Sequence, residues 1–359
     1  MAASSTSSIV RHSPLTSSPP HSRNESRMTA LLPPTSERSD KPWGVKRLQS
    51  KLRDFGIAFG LLAIVLALSV STTTFLTPGN LINLIDQATV VGLLAVGATL
   101  CIISGVFDLS ATATLAVSAI TGIWISQTFG FAAGFIGAIV AGTLLGAITG
   151  LIIVSTKVNS FIGTLAISII YRGLAIVLTA GAIVSPPAEI AGSFRIFAER
   201  GPFGLTWASI LFGVTVVVFG LMLAKTTYGR RIYAVGGNAE AARLSGIRTG
   251  AVRIGVFAIS GACSALAGLV MISRAGSAQP GMATGLELTA IAAVVIGGTS
   301  IMGGQGAVWR AFVGVMILTV IANGFNLLQW DTTYQQVVTG ALILIAIAAD
   351  SLFFKKRNS

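Results

Sequence analysis

A chain of 359 residues that is 53% hydrophobic and only 10% charged, with a mean hydropathy of +0.82, is not an ordinary soluble domain, which carries about 25% charged residues. A formal net charge of +12 would suit a nucleic-acid binder if it covered one face, but nine basic residues fall in positions 1–53, six in 225–253 and three in 355–357. That clustering is the pattern of basic segments held on one side of a membrane, and it excludes a nucleic-acid partner. The only cysteines, Cys101 and Cys263, lie in apolar stretches, and the only histidines, His12 and His21, lie in the first 50 residues. A disulfide framework, a metal centre and histidine-based catalysis are therefore poorly supported.

Residues 1–50 are rich in Ser and Pro and contain no apolar run, so they read as a disordered tail. No hydrophobic region follows their first basic residues, which excludes a signal peptide, and Met28 offers an alternative start. Residues 51–359 read as one membrane domain. From Asp54 onward ten apolar spans are expected by length, at 54–73, 81–104, 109–128, 131–154, 161–184, 205–224, 254–274, 287–300, 306–328 and 334–354. The expected fold class is thus all-α, a polytopic integral membrane protein with about ten transmembrane helices. Ten is even, so both termini and the 225–253 segment share one side, in agreement with the three basic clusters. The 41 glycines fit helices packed closely in a membrane. Segment 185–204 is the longest loop on the opposite side. Spans two to five and seven to ten are candidates for two four-span units of opposed orientation, which the sequence similarity between them is too weak to establish.

The polar residues inside the apolar stretches come next, in chain order. Pro78 stands just before span two and Asn80 can cap it. At its far end Gly105 and the ionisable Asp108 imply a broken helix. Asp108 either lines a cavity or caps a helix at the membrane surface, since an Asp at a helix centre costs about 2.5–3.5 kcal/mol. Asp86 reads as a buried, paired polar group. Arg172, within span five, must face the protein interior or water, with Asp86 and Asp108 as candidate partners.

In the 225–253 segment a short helix is marked at both ends. Asn238 can cap it through its side-chain oxygen, Glu240 lies at its positive end and Arg243 at its negative end. Gly246 suits a left-handed stop followed by the apolar Ile247. Two turns are marginal alone in water, so the helix is expected to dock on something else. Between 277 and 306 glycine-rich turns flank a short span, which suits irregular backbone lining a cavity. No Gly-Lys-Ser/Thr follows, so ATP has no site on this chain. Asn323 and Asn326, three residues apart on one helix face, serve either solute hydroxyls or interhelical hydrogen bonds.

The run from Gly236 to Ile247, GGNAEAARLSGI, resembles the cytoplasmic coupling loop of ABC-importer permeases of the ribose/monosaccharide type. A second match is Ser277-Ala278-Gln279-Pro280 with the run from Gly285 to Gly306. Asn323-Gly324-Phe325-Asn326-Leu327-Leu328 matches the family's Asn-Gly-x-Asn-Leu-Leu. The Gly-Gly-x-Asp-Leu-Ser-x-Gly motif is kept at Gly105, Asp108, Leu109 and Ser110, but Val106 and Thr112 stand where the family has Gly. Asn159-Ser160 replaces Pro-Pro at the start of span five, and Arg310 occupies a usual Gly position.

The resemblance covers about 55–354 and implies the following. The fold is a type II ABC-importer-like permease, working as a homodimer in the lipid of the bacterial inner membrane with both termini cytoplasmic. It does no covalent chemistry and binds no cofactor; ATP belongs to a cytoplasmic ATPase subunit, and an extracytoplasmic solute-binding protein delivers a sugar. Coupling to the ATPase falls to Gly237, Asn238, Ala239, Glu240, Ala242, Arg243, Leu244, Ser245 and Gly246, with Ala239, Ala241 and Ala242 small enough for close approach. The translocation path falls to Asp108, Ser110, Thr112, Asn323 and Asn326. Two readings stay open beside it, a nucleoside or other small polar solute, and an ion-coupled transporter or channel without an ATPase. The latter needs clustered intramembrane carboxylates, and Asp86, Asp108 and Glu287 are scattered in sequence.

Overall fold

A computed structural model describes residues 59–331, 333–341 and 344, all within the unit Gln49–Ser359. The 1–50 tail with Met28, the start of span one, most of span ten and the 355–357 basic cluster lie outside the described residues. The described chain is all-helical. Its helices are α1 (Phe59–Ser71), α2 (Pro78–Ile103), α3 (Ala111–Thr156), α4 (Ser160–Thr179), α5 (Ala188–Phe194), α6 (Trp207–Lys225), α7 (Thr227–Gly237), α8 (Ala239–Leu244), α9 (Thr249–Ala275), α10 (Leu286–Ile296) and α11 (Val308–Leu327). Residues 333–341 are helical as well.

Six of these helices are long and apolar enough to cross a membrane, namely α2, α3, α4, α6, α9 and α11. The 46-residue α3 is two of the expected spans run together. Its backbone leaves the helical region at Gly130 (φ 80°, ψ 173°), and the two arms fold back so closely that a Cβ on Gly134 would lie 2.4 Å from the Gly122 carbonyl oxygen. The expected eighth span is only α10, 11 residues or about 16 Å at 1.5 Å per residue, too short to cross.

The core is built around α2 and α9, which pack in the middle of the bundle. The most apolar window of α2 is 78% buried, against 28% in α4 and α6. A helix apolar on every face belongs inside, and Leu93, Leu94, Leu100, Ile102 and Ile103 of α2 are fully enclosed. The second arm of α3 meets α9 along glycines four residues apart. A Cβ on Gly142 would lie 2.5 Å from the Gly261 carbonyl oxygen, and one on Gly146 only 2.2 Å from that of Phe257. Small residues let the backbones touch where lipid gives no hydrophobic drive to associate.

Capping corrects two expectations. Thr77, not Asn80, caps α2, accepting from Asn80 N at 3.4 Å, with Pro78 as the first helical residue. The segment expected to hold one short helix holds two. Helix α7 precedes α8, capped by Thr226 Oγ1, which accepts from Gly229 N at 3.1 Å. Loop 185–204 contains α5, whose Phe194 meets Phe131 edge-on at 5.1 Å.

The α3–α9 contact yields a direct expectation. Gly146→Leu should drive a branched side chain into the Phe257 backbone and destabilise the bundle by about 1–3 kcal/mol or more. A lowered unfolding temperature of the detergent-purified protein, relative to an exposed control such as Gly213→Leu, checks it.

Candidate functional site

Helix α8 is held at both ends by its own sequence. Asn238 Oδ1 accepts from Ala241 N at 2.9 Å. At the other end Gly246 N donates to Arg243 O and Ile247 N to Ala242 O, each at 3.0 Å, with Gly246 at φ 82°. That pair of bonds is the Schellman stop, which needs a residue at ease with positive φ. Ser245 Oγ donates to Ala241 O at 2.9 Å. Among the described residues the one ion pair is Glu240–Arg243, at 2.6 Å. The Arg243 hydrogen bond and charge hold the Glu240 carboxyl below its usual range. The pair supports α8 above the ordinary carboxyl range and loses its contribution as pH falls from there through the lowered folded-state value, although so exposed a pair adds little.

The residues expected to couple differ in exposure. Ala242 is 5% exposed and packs into the molecule, whereas Leu244 is 77% exposed. The outward surface of α8 is therefore Glu240, Ala241, Arg243 and Leu244. Ala239 is half-buried and Gly237 exposed. Beside it a cleft of about 440 Å³ opens between Tyr228, Arg231, Gly246 and Arg248. Tyr228 ties α7 to α9, donating to Val252 O at 3.1 Å. Burial, with a smaller contribution from Cys101, pushes its phenol up to about 12, so it stays a donor at ordinary pH.

The base of α7 is joined to the membrane helices without any side chain between. Gly304 N donates to the Ile103 carbonyl at the end of α2, at 2.8 Å. A Cβ on Gly236 would sit 1.7 Å from that same oxygen and 2.7 Å from Gly304 N, and one on Gly304 would sit 2.7 Å from Gly237 Cα. Tyr233 Oη adds a bond to Gly306 O at 2.7 Å. Three of the motif segments noted in the sequence thus meet backbone to backbone: the break after α2, the end of α7 and the turn after α10.

The break itself, 104–110, is fully lined by donors and acceptors. Helix α2 ends in a second Schellman stop, with Gly105 N on Ile102 O and Val106 N on Cys101 O, both at 3.0 Å. Hydroxyls of α4 take the next donors: Phe107 N bonds Ser160 Oγ and Leu109 N bonds Thr164 Oγ1, each at 3.0 Å. Asp108, 5% exposed, accepts from Ser110 N at 3.0 Å and Ser110 Oγ at 2.6 Å through one oxygen. Its other oxygen accepts from Ser260 Oγ of α9 at 2.7 Å. Asp108 and Ser110 are here the clasp between α3 and α9.

Asn323 is also committed. It exchanges two amide hydrogen bonds with Asn80 at 2.9 and 3.1 Å, an interhelical tie between α11 and α2. Asn326 is exposed, so the two amides expected on one face do not converge.

Thr112 belongs to a different group. Its hydroxyl donates to Glu287 Oε2 at 2.8 Å and accepts from Arg172 Nη2 at 3.4 Å. Arg172 Nη1 also donates to Thr284 Oγ1. Arg172 pairs with neither Asp86 nor Asp108, the partners weighed from the sequence. Asp86 instead accepts from Thr206 and Ser209, while Arg274 donates to its carbonyl at 2.7 Å. The sequence signal for the Thr112 group was an arginine and a glutamate in apolar surroundings; which of them share a hydroxyl is a matter of folding.

The described residues thus form an all-helical bundle with six helices long and apolar enough to cross a membrane, irregular breaks after α2 and α10, and the short capped helix α8. The profile of the family described as "Branched-chain amino acid transport system / permease component" matches residues 80–347. The chain is 39% identical over 301 residues to the ribose import permease RbsC of Bacillus subtilis, covering 83% of this chain and 93% of that protein. It is 37% identical over 297 residues to RbsC of Escherichia coli K12, covering 81% and 91%, and 36% identical over 304 residues to the D-allose permease AlsC of that strain, covering 83% and 91%. No solved structure matches. The chain belongs to this permease family, and within it to the ribose/monosaccharide-type ABC-importer permeases.

The Schellman stop generates a prediction. No atom lies within 4 Å of a Cβ added at Gly246, so Gly246→Val meets only the backbone penalty of positive φ, about 1–2 kcal/mol. It should loosen the end of α8 and lower transport while membrane levels stay normal, as read by uptake against immunoblotting.

Proposed function

We propose that the protein is the permease subunit of an ATP-binding-cassette importer and forms the transmembrane path for a monosaccharide. The observation that carries this reading is the arrangement of α8. A helix capped at both ends, exposing Leu244, stands on a base joined backbone to backbone to α2 and to the turn after α10. Such a lever transmits force only if something grips its outer surface. Helix-in-groove docking on a cytoplasmic ATPase subunit fits that requirement. The Arg231 and Arg248 side of the neighbouring cleft favours an acidic rim on the partner. ATP stays on that subunit, an extracytoplasmic binding protein delivers the solute, and a second copy of this chain completes the path. In this reading the protein sits in a bacterial inner membrane, with α7 and α8 on the cytoplasmic side.

The solute class rests on the relatives named for ribose and allose, and on the chemistry of the membrane region. A sugar needs hydroxyls, amides and backbone carbonyls, not a ring of one charge.

Cross-linking tests the docking. Cysteines replacing Ala241 or Leu244 should link to the ATPase subunit, whereas one replacing Ala242 should not, because that side chain faces inward. Equal linkage at all three positions would count against the orientation of α8.

Uptake tests the solute. Proteoliposomes holding the whole complex should hydrolyse ATP faster when the binding protein carries D-ribose, D-allose, D-xylose or L-arabinose. Stimulation by a leucine-loaded or nucleoside-loaded binding protein, and by no sugar, would overturn the assignment.

A further inference from the structure

The polar residues expected to line the path are mostly spent on holding the fold. Asp108 has both oxygens occupied and Asn323 is paired with Asn80. Both are enclosed, at 5% and 4% exposure. Neither has a free group to offer a passing solute in this conformation.

The group around Thr112 differs in each respect. Arg172 of α4 and Glu287 of α10 are half-buried, and Thr284 is exposed. Two opposite charges inside the apolar span region stand one hydroxyl apart, both bonded to Thr112 Oγ1, yet they do not form an ion pair. Charge is costly at such depth and is normally neutralised by direct contact. Glu287 spends a single oxygen, Oε2, on Thr112 and on Gly285 N at 2.9 Å. The hydrogen bonds of Arg172 are to Thr284 and Thr112, two of the five its guanidinium can donate. Acceptor and donor capacity is therefore left over on both sides of one threonine.

The backbone around the group is also that of a cavity wall. Thr112 stands on the first turn of α3, two residues beyond the 104–110 break, and Glu287 follows the irregular 276–285 segment, where Gly276, Ala283 and Gly285 have positive φ. Non-helical backbone at membrane depth survives only where it is enclosed by protein or lines water. Thr284 is exposed, so this segment is not sealed within the chain.

We propose that Arg172, Thr112, Thr284 and Glu287 form the solute-contacting site of the path, taking a neutral solute that carries adjacent hydroxyls. One hydroxyl donates to the free Glu287 oxygen and its neighbour accepts from Arg172, replacing the Thr112 bridge. A carboxylate beside a guanidinium presents no net charge, so neither an anion nor a cation gains by stopping there. A vicinal diol, donor and acceptor at once, matches both partners. This rests on the reading of the protein as a sugar importer, and it names the residues that meet the sugar.

The test uses the whole complex in proteoliposomes, with D-ribose, D-allose, D-xylose and L-arabinose. Uptake by the unaltered protein tests the sugar reading; uptake of leucine and of none of these sugars would overturn that reading and this site together. With a sugar that the unaltered protein takes up, Arg172→Gln and Glu287→Gln should each reduce uptake about tenfold or more, the size of a lost charge-assisted hydrogen bond. ATP hydrolysis stimulated by the loaded binding protein should persist in both, since α8 is untouched. A second measurement separates contact from mere support. Thr284→Cys should react with a charged, membrane-impermeant methanethiosulfonate, and the same sugar supplied with binding protein should slow the reaction several-fold. The native thiols, Cys101 and Cys263, are buried and give no background. Undiminished uptake in both glutamine variants, or labelling of Thr284→Cys that the sugar leaves unchanged, would overturn the site while leaving the importer assignment standing.

Discussion

A backbone that leaves the helical path inside a bilayer has no water to bond, so each freed N–H and C=O must find its partner in the protein. This protein interrupts its helices twice at one place, after α2 and after α10, and much of its polar chemistry serves those interruptions. Ser160 and Thr164 reach across from α4 to take the amides of Phe107 and Leu109. Asp108 takes the amide of Ser110 and binds Ser260. The turn after α10 returns Gly304 N to the Ile103 carbonyl. An aspartate that looks functional from the sequence is thus explained by the cost of the break it closes.

The same constraint shapes the junction at the end of α7. Where the end of α7 meets Ile103 and Gly304, no side chain lies between the backbones, so no rotamer can absorb a displacement. A Cβ at Gly236 would overlap the Ile103 oxygen. The end of α7, the break after α2 and the turn after α10 are thus packed as one junction. Those two segments lead directly into Thr112, on the first turn of α3, and back along α10 to Glu287. Ile103 is joined to Thr112 by the short irregular 104–110 segment, and Gly304 to Glu287 by the length of α10.

What the sequence revealed follows from what each signal measures. Apolar length located the helices, and it separated the two arms of α3 on either side of Gly130, where the backbone folds back. The caps of α8 were legible in Asn238 and Gly246, since capping is local. Helix α7 was missed even though Tyr228, Ile232 and Val235 recur at helical spacing; basic residues and glycines masked the pattern. The inward turn of Ala242 and the Asn80–Asn323 pair were beyond reach. Each depends on a partner distant in the chain, 243 positions away in the second case. Arg172 was rightly marked as needing a polar neighbour, but periodicity does not say that the neighbour is a threonine shared with Glu287.

Helix α8 has six residues, too few to persist in water by propensity alone, because nucleation costs more than so short a run of hydrogen bonds returns. It persists because Asn238 and Gly246 close its ends and Ala242 anchors it from below. With the exposed Glu240–Arg243 pair, those three groups hold the helix and leave Leu244 with no structural duty. Leu244 can then project into solvent, an arrangement that gains nothing for the isolated chain. An apolar side chain kept exposed on a short helix capped at both ends makes physical sense when a partner covers it. A rigid helix set on a backbone junction is also the form in which a partner's movement is passed inward with least loss.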